Sequence, residues 1–246
     1  MPFFGLFCEL AGLPLLALVS FTAVGQPGSD STLLSTASDR VKDLYHNSLG
    51  PELHLYSGVS YKGFKSNKND EGQPYFESWD WVAGDVFYNG ILFEGIPMIY
   101  DMVNDKIVID HKYGRVKMEL ISEKVSYFVI GKHKFVRLVA ESSLQPGFYE
   151  LVFDGTVKFY AKWQRKRLEV VKPRELQVQY EDQNRYYIFK DNRFYNVKSK
   201  SSVLDVLKDK RQVLQKDIRR YHLNFRRQRI EAISKILSRY ESNATP

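Results

Sequence analysis

From Trp79 to about Val171, apolar and polar residues alternate in short runs, and turn residues separate these runs. Asn89-Gly90 and Asp154-Gly155 each lie between aromatic and β-branched residues, and both pairs tolerate the positive φ angles of a type I′ hairpin turn. Further turn signals follow at close intervals, at Asn104-Asp105, Gly131-Lys132 and Asp191-Asn192. This spacing predicts an antiparallel β-meander that forms an open barrel or a strongly curved sheet.

Towards both ends of the chain the apolar spacing becomes helical. Residues 39–47 predict a short N-terminal helix. Ser202-x-x-Asp205 is a capping pattern that opens a second helical stretch, which ends at His222-Leu223, and Asn224 is placed to cap a further helix. We therefore predict an α+β fold: a curved antiparallel β-meander, as an open or half barrel, with a short N-terminal helix and a C-terminal helical hairpin.

Residues 11–25 form an apolar run that ends in small residues and is followed by Gln26, which is the pattern of a secretory signal peptide and its cleavage site. The start of the chain contains Glu9 and neither Lys nor Arg, so a misassigned start, a buried N-terminal helix and a retained anchor are the alternatives. Export to the periplasm or the cell surface is our expectation. Cleavage removes Cys8, the only cysteine, so the mature chain has no disulfide and no transmembrane span.

The predicted organisation has four parts. Residues 1–25 are a signal peptide, 26–38 a linker, 39–198 a mainly antiparallel β domain with an N-terminal helix, and 199–246 a basic helix hairpin packed on that domain.

The formal net charge of +7 is concentrated in the C-terminal third of the chain. Between Lys198 and Arg239 there are 13 Lys and Arg residues and 4 Asp and Glu residues, an excess of 13 − 4 = 9. A basic helical face of this kind either is an ordinary solvated surface or binds an anionic surface. The residues that would carry such binding are Arg219, Arg220, Arg226, Arg227 and Arg229.

Tryptophans beside carboxylates occur where proteins bind sugars, because the ring stacks on the sugar and the acid accepts hydrogen bonds from hydroxyl groups. Trp79, Asp80, Trp81 and Asp85 have this pattern, and Glu77 precedes them. Tyr88 and Tyr100 complete the set of candidate ligand-binding residues, although tryptophan and tyrosine also fill ordinary β cores.

The chain contains no Gly-x-Ser-x-Gly, P-loop or Gly-x-Gly-x-x-Gly motif, and its lone cysteine lies in the predicted signal peptide. Asp101, Asp105, Asp110 and His111 are close in sequence, but they lack the compact spacing of a metal site and are interpreted as turn and strand-end residues on the solvated face. We expect no catalytic residues, no metal and no cofactor, and therefore a protein that is not an enzyme.

Three stretches of the chain, residues 56–64, 84–101 and 146–155, together with the tail from Ser199 to Tyr240, resemble exported proteins of bacterial cell envelopes. This resemblance implies a location and no activity or site residues. A looser similarity to lipoprotein-carrier half barrels rests on the predicted fold alone.

With 16 Tyr, 16 Phe and 3 Trp, the sheet has enough aromatic residues to line a cavity as well as fill a core. We expect a non-catalytic envelope protein that binds an apolar or amphiphilic ligand or a protein partner. The alternatives are a carbohydrate-binding or carbohydrate-active protein and a binder of anionic envelope surfaces. The partners that fit are an envelope protein, a lipid or a glycan, whereas nucleic acid does not fit an exported protein.

Overall fold

The computed structural model of the chain describes residues 55–65, 67–110, 116–140, 144–173 and 175–242. The predicted signal peptide, linker and N-terminal helix, together with Cys8 and His111, lie outside the described residues. Thirteen strands are present in the described part: β1 Val59–Ser60, β2 Val82–Tyr88, β3 Ile91–Asp101, β4 Lys106–Asp110, β5 Lys117–Glu119, β6 Val125–Ile130, β7 His133–Leu138, β8 Gly147–Phe153, β9 Lys158–Lys162, β10 Arg165–Lys172, β11 Glu175–Asp182, β12 Arg185–Lys190 and β13 Arg193–Asn196.

Eleven of these strands form one antiparallel sheet with the order β1-β5-β4-β3-β2-β6-β7-β8-β9-β12-β13. The chain lays down β2 to β5 in one direction and then returns, so that β6 pairs with the other side of β2. Within the described residues the two edge strands pair only with their inner neighbours, so the sheet is open. The predicted α+β fold with an open antiparallel meander is therefore confirmed.

The turns of the sheet show why the hairpins form where the sequence predicts them. Asn89 and Gly90 have φ angles of 51° and 84°, and Asp191 and Asn192 have φ angles of 52° and 58°, so each pair makes a tight two-residue connection. Such left-handed backbone suits Asn, Asp and Gly best.

The predicted type I′ turn at Asp154-Gly155 is wrong, because four residues join β8 to β9 and neither of these two has positive φ.

The sheet bends around an aromatic core. The rings of Tyr100 on β3 and Phe135 on β7 lie 5.0 Å apart, although β2 and β6 separate these strands in the sheet. In a flat sheet three strand spacings would place them about 14 Å apart. Phe128 stacks on Phe135 with a centroid distance of 4.7 Å, and Phe148 meets Phe128 edge-on. Contact between these rings therefore requires the curvature that the sequence predicts.

The C-terminal segment contains three α-helices, α1 Lys200–Val206, α2 Arg211–Arg220 and α3 Arg229–Ser242. Their apolar faces pack on Phe159 of β9 and Ile188 of β12, which forms a second core. Among the described residues no helix is long and apolar enough to cross a bilayer.

The prediction of one continuous helix from Ser202 is wrong at two points. The helix begins earlier, because the Ser199 side chain accepts from the Ser202 backbone and Ser202 accepts in return. It is then interrupted by a single 3₁₀ turn at Lys208–Lys210. This turn places the Asp209 carboxylate 2.7 Å from Lys190 Nζ and 2.8 Å from the Tyr240 hydroxyl, which ties together β12 and α3.

Strands β10 and β11 form a separate two-stranded ribbon that joins β9 to β12. The segment before β2 pairs with β11 of this ribbon, since Glu71 N donates to Val178 O and Tyr180 N donates to Glu71 O, both at 2.9 Å. The ribbon thereby holds the segment that contains Glu71 and Tyr75, because Arg165 of β10 also donates to Tyr75 O.

Candidate ligand-binding site

A pocket of about 290 Å³ lies where the sheet, the ribbon and α3 meet. Its apolar wall consists of Phe76, Met102, Trp163 and Ile230. The polar side chains that complete it are Glu77, His133, Glu150, Arg165, Asp182 and Asn184. At about 30 Å³ for each atom of water size, such a volume holds on the order of ten non-hydrogen atoms.

His133 lies between two carboxylates at one end of this pocket. Its Nδ1 is 2.5 Å from Glu150 Oε1, and its Nε2 is 3.1 Å from Glu77 Oε1. The second contact has an ion-pair distance but not the geometry of a hydrogen bond, and Nε2 has no hydrogen-bond partner among the described residues. The side of the imidazole that faces Glu77 is therefore the less firmly held one.

Glu150 fixes the orientation of two rings. Oε1 pairs with His133, and Oε2 accepts from Trp163 Nε1 at 2.6 Å. Phe76 meets the His133 ring edge-on at 5.0 Å and contacts the Trp163 ring at 5.6 Å. Because a buried carboxylate must be hydrogen-bonded, these contacts hold the indole and the imidazole in one arrangement.

Glu77 sits at the mouth of the pocket on strained backbone. Its φ angle is +57°, which is uncommon for a residue other than Gly, Asn or Asp, and its side chain is 59% exposed. Gln73 Nε2 donates to its carbonyl oxygen at 2.7 Å and holds the turn. Arg165 anchors the same segment, because it donates to Tyr75 O and also pairs with Asp182 at 2.8 Å.

A second group of charged side chains, which do not line the pocket, forms a largely buried ion pair. Asp105 Oδ2 lies 2.6 Å from Lys162 Nζ, and Oδ1 accepts from the Tyr100 hydroxyl at 2.6 Å. Burial lowers the pKa of Lys162, and the charge of Asp105 opposes that change. A Cβ on Gly147, whose φ is +149°, would lie 2.1 Å from Asp105 Oδ2, so this position requires glycine.

A groove lined by basic side chains runs beside the pocket, along one side of α3. It consists of two depressions of about 360 and 580 Å³ that share Tyr186 and Arg229. The first depression also shares Ile230 with the apolar pocket, and the second shares Asn184 with it. The groove and the pocket are therefore adjacent parts of one surface.

The tryptophan and carboxylate residues that the sequence suggested as a sugar site make contacts with neighbouring protein groups. Trp79 is 36% exposed and meets Tyr75 edge-on at 5.1 Å, while Trp81 packs with Tyr61 in a small core. Asp80 accepts from Ser78 Oγ within a turn. Asp85 accepts from Gly95 N at 3.0 Å, at an irregularity between β2 and β3.

The other predicted residues are placed as follows. Tyr88 and Tyr100 are buried in the aromatic core. The predicted solvated position of Asp101 is wrong, because this residue is buried and its carboxylate accepts from the Tyr61 hydroxyl and from Val103 N. Arg226, Arg227 and Arg229 line the groove, whereas Arg219 and Arg220 lie exposed at the end of α2. The described residues contain no group of three or more His, Cys, Asp or Glu side chains arranged to hold a metal.

Sequence reasoning missed His133, Glu150 and Trp163. One signal was present: Glu150 falls at an inward-facing position of a strand, two residues after Phe148, where alternation calls for an apolar residue. Its partner strand places Phe135 opposite Glu150, with His133 on the same face. A charged residue on a core face is the informative exception in such a pattern.

Comparisons of the chain with protein-family models, with curated proteins and with solved structures give no match. The resemblance to exported envelope proteins therefore stays a prediction, and function is inferred from the site.

Proposed function

We propose that this protein is a non-catalytic exported envelope protein that binds an amphiphilic molecule, with the apolar part of the ligand in the pocket beside His133. The observation that carries the proposal is the pocket itself, an apolar wall with a few convergent polar groups, which is the usual composition of a small-molecule site.

The arrangement of the pocket favours binding over bond-breaking chemistry. Both oxygens of Glu150 are engaged, one by His133 and one by Trp163. The cysteine of the chain lies in the predicted signal peptide, and no serine or threonine lines the pocket to act as a nucleophile beside the imidazole. The polar groups thus hold the aromatic rings in place and offer an orienting contact to a ligand.

We expect the pocket to be occupied in the native protein. Protein purified from its own envelope should carry a co-purifying lipid or amphiphile that native mass spectrometry detects, and a denatured sample should not. The same spectrum tests export, because a mature chain that begins at Gln26 is expected.

Two matched variants test whether that ligand lies in the pocket. Ile230→Trp adds bulk at the first turn of α3 and should lower occupancy at least tenfold, because it fills the pocket. Val213→Trp, at an exposed position of α2, should leave occupancy unchanged. Equal occupancy in both variants would place the ligand elsewhere, and a bound glycan lost on Trp79→Ala would favour the sugar-binding alternative.

A further inference from the structure

The basic groove beside the pocket has an unusual charge balance. Five basic side chains line its two depressions, namely Arg185, Lys198, Arg226, Arg227 and Arg229, against the single acidic residue Glu231. In the described part of the chain none of the five forms an ion pair with a carboxylate, whereas several other basic residues do. Like charges gathered without counter-charges repel one another, so a bound anion would stabilise this surface.

Arg229 is held in position for such an anion. Its guanidinium lies over the Tyr186 ring at 5.3 Å, and its Nε donates to Phe225 O at 3.3 Å. A guanidinium that rests on an aromatic face and uses one donor internally keeps its other donors for an anionic oxygen. Arg226 and Arg227 extend from the turn that Asn224 caps, so their backbone is fixed as well.

The pocket has the opposite polarity. Its three carboxylates, Glu77, Glu150 and Asp182, outnumber its one arginine, Arg165, which is paired with Asp182. An anion inside the pocket would therefore face an excess of carboxylates. Ile230, which the pocket and the groove share, lies next to Arg229 in the chain. The charges of the two sites therefore favour a ligand whose apolar part lies in the pocket and whose anionic head lies in the groove.

We propose that the part of the basic groove lined by Arg226, Arg227 and Arg229 is the head-group site for an anionic, phosphate-bearing amphiphile whose apolar part occupies the adjacent pocket. This inference rests on the proposed function and specifies its ligand class. A phosphate head suits the groove because guanidinium groups bind phosphate oxygens in bidentate geometry.

The test compares two probes with the same alkyl chain, decyl phosphate and decyl maltoside, by calorimetric titration of the mature protein below their critical micelle concentrations. Decyl phosphate should bind at least tenfold more tightly, and this preference should shrink as salt is added. Arg226→Gln with Arg227→Gln should lower decyl phosphate affinity at least tenfold and leave decyl maltoside affinity unchanged. These two side chains make no hydrogen bond or ion pair with another described residue, so the fold should tolerate the change.

Arg219→Gln with Arg220→Gln is the matched control, since it removes the same charge from the exposed end of α2 and should change neither affinity. Equal affinity of the two probes, or equal effects of the two double variants, would overturn the head-group site. Inorganic phosphate that binds as tightly as decyl phosphate would also overturn it, because the groove would then be a site for a free anion. Failure of both decyl probes to bind would instead overturn the proposed function.

Discussion

Replacing Asp105 by alanine should lower the free energy of unfolding by about 3 kcal/mol, because it leaves the Lys162 ammonium buried without its counter-ion. The same change removes the acceptor of the Tyr100 hydroxyl and a contact to Phe148 N at 3.3 Å. Against a total stability of about 5–15 kcal/mol for an ordinary domain, this loss is large. Denaturant titration followed by circular dichroism measures it.

Asp154→Ala is the control for that experiment. It breaks the ion pair with Lys158 in the loop between β8 and β9, where both side chains are well exposed, and should cost less than about 1 kcal/mol. A second comparison separates lost pairing from lost packing: Asp105→Leu combined with Lys162→Met should recover part of the stability, since an apolar pair replaces the buried charges. Equal losses for Asp105→Ala and Asp154→Ala would show that the buried pair is not important for stability.

The fold was predictable where local chemistry decides it. Asn89-Gly90 and Asp191-Asn192 specify tight turns almost alone, because few other residues tolerate positive φ at both positions. The apolar spacing of the C-terminal segment likewise predicted helices that bury one face. The interruption after Val206 was not predictable, because it depends on Lys190 and Tyr240, which meet Asp209 only in the folded chain.

The candidate site was largely hidden from the sequence for the same reason. Glu77, His133 and Glu150 are widely separated along the chain, and the curvature of the sheet and the attachment of the ribbon bring them together. Three of the five predicted surface arginines do line one groove, whereas the two on α2 point to a different part of the surface. Composition located the basic segment, and only the packing of α3 against β12 shows which part of it borders an apolar pocket.

The protein should unfold cooperatively in alkali, because its core contains tyrosines that must stay neutral in the folded state. Burial raises the pKa of Tyr61, Tyr100 and Tyr149 well above the ordinary value of about 10. Above pH 10 the unfolded chain therefore loses these protons while the folded chain keeps them. A group whose folded pKa is raised stabilises the fold below its unfolded pKa, and that contribution is lost as the pH rises.

For each such tyrosine the free energy of unfolding falls by about 1.4 kcal/mol per pH unit above 10, and for three of them it falls by about 4 kcal/mol per unit. Burial lowers the pKa of Lys162, so the contribution of this residue to stability changes with pH in the opposite direction. It is one group against three tyrosines. A stability of about 8 kcal/mol, within the usual range of about 5–15 kcal/mol, is then exhausted near pH 12. Tyrosinate absorbance should rise together with the loss of circular dichroism, and Tyr149→Phe should move the transition to higher pH while Tyr221→Phe, at an exposed position, should not. Tyrosinate absorbance that rises fully while the dichroism remains native would show that these hydroxyl groups ionise inside the folded core.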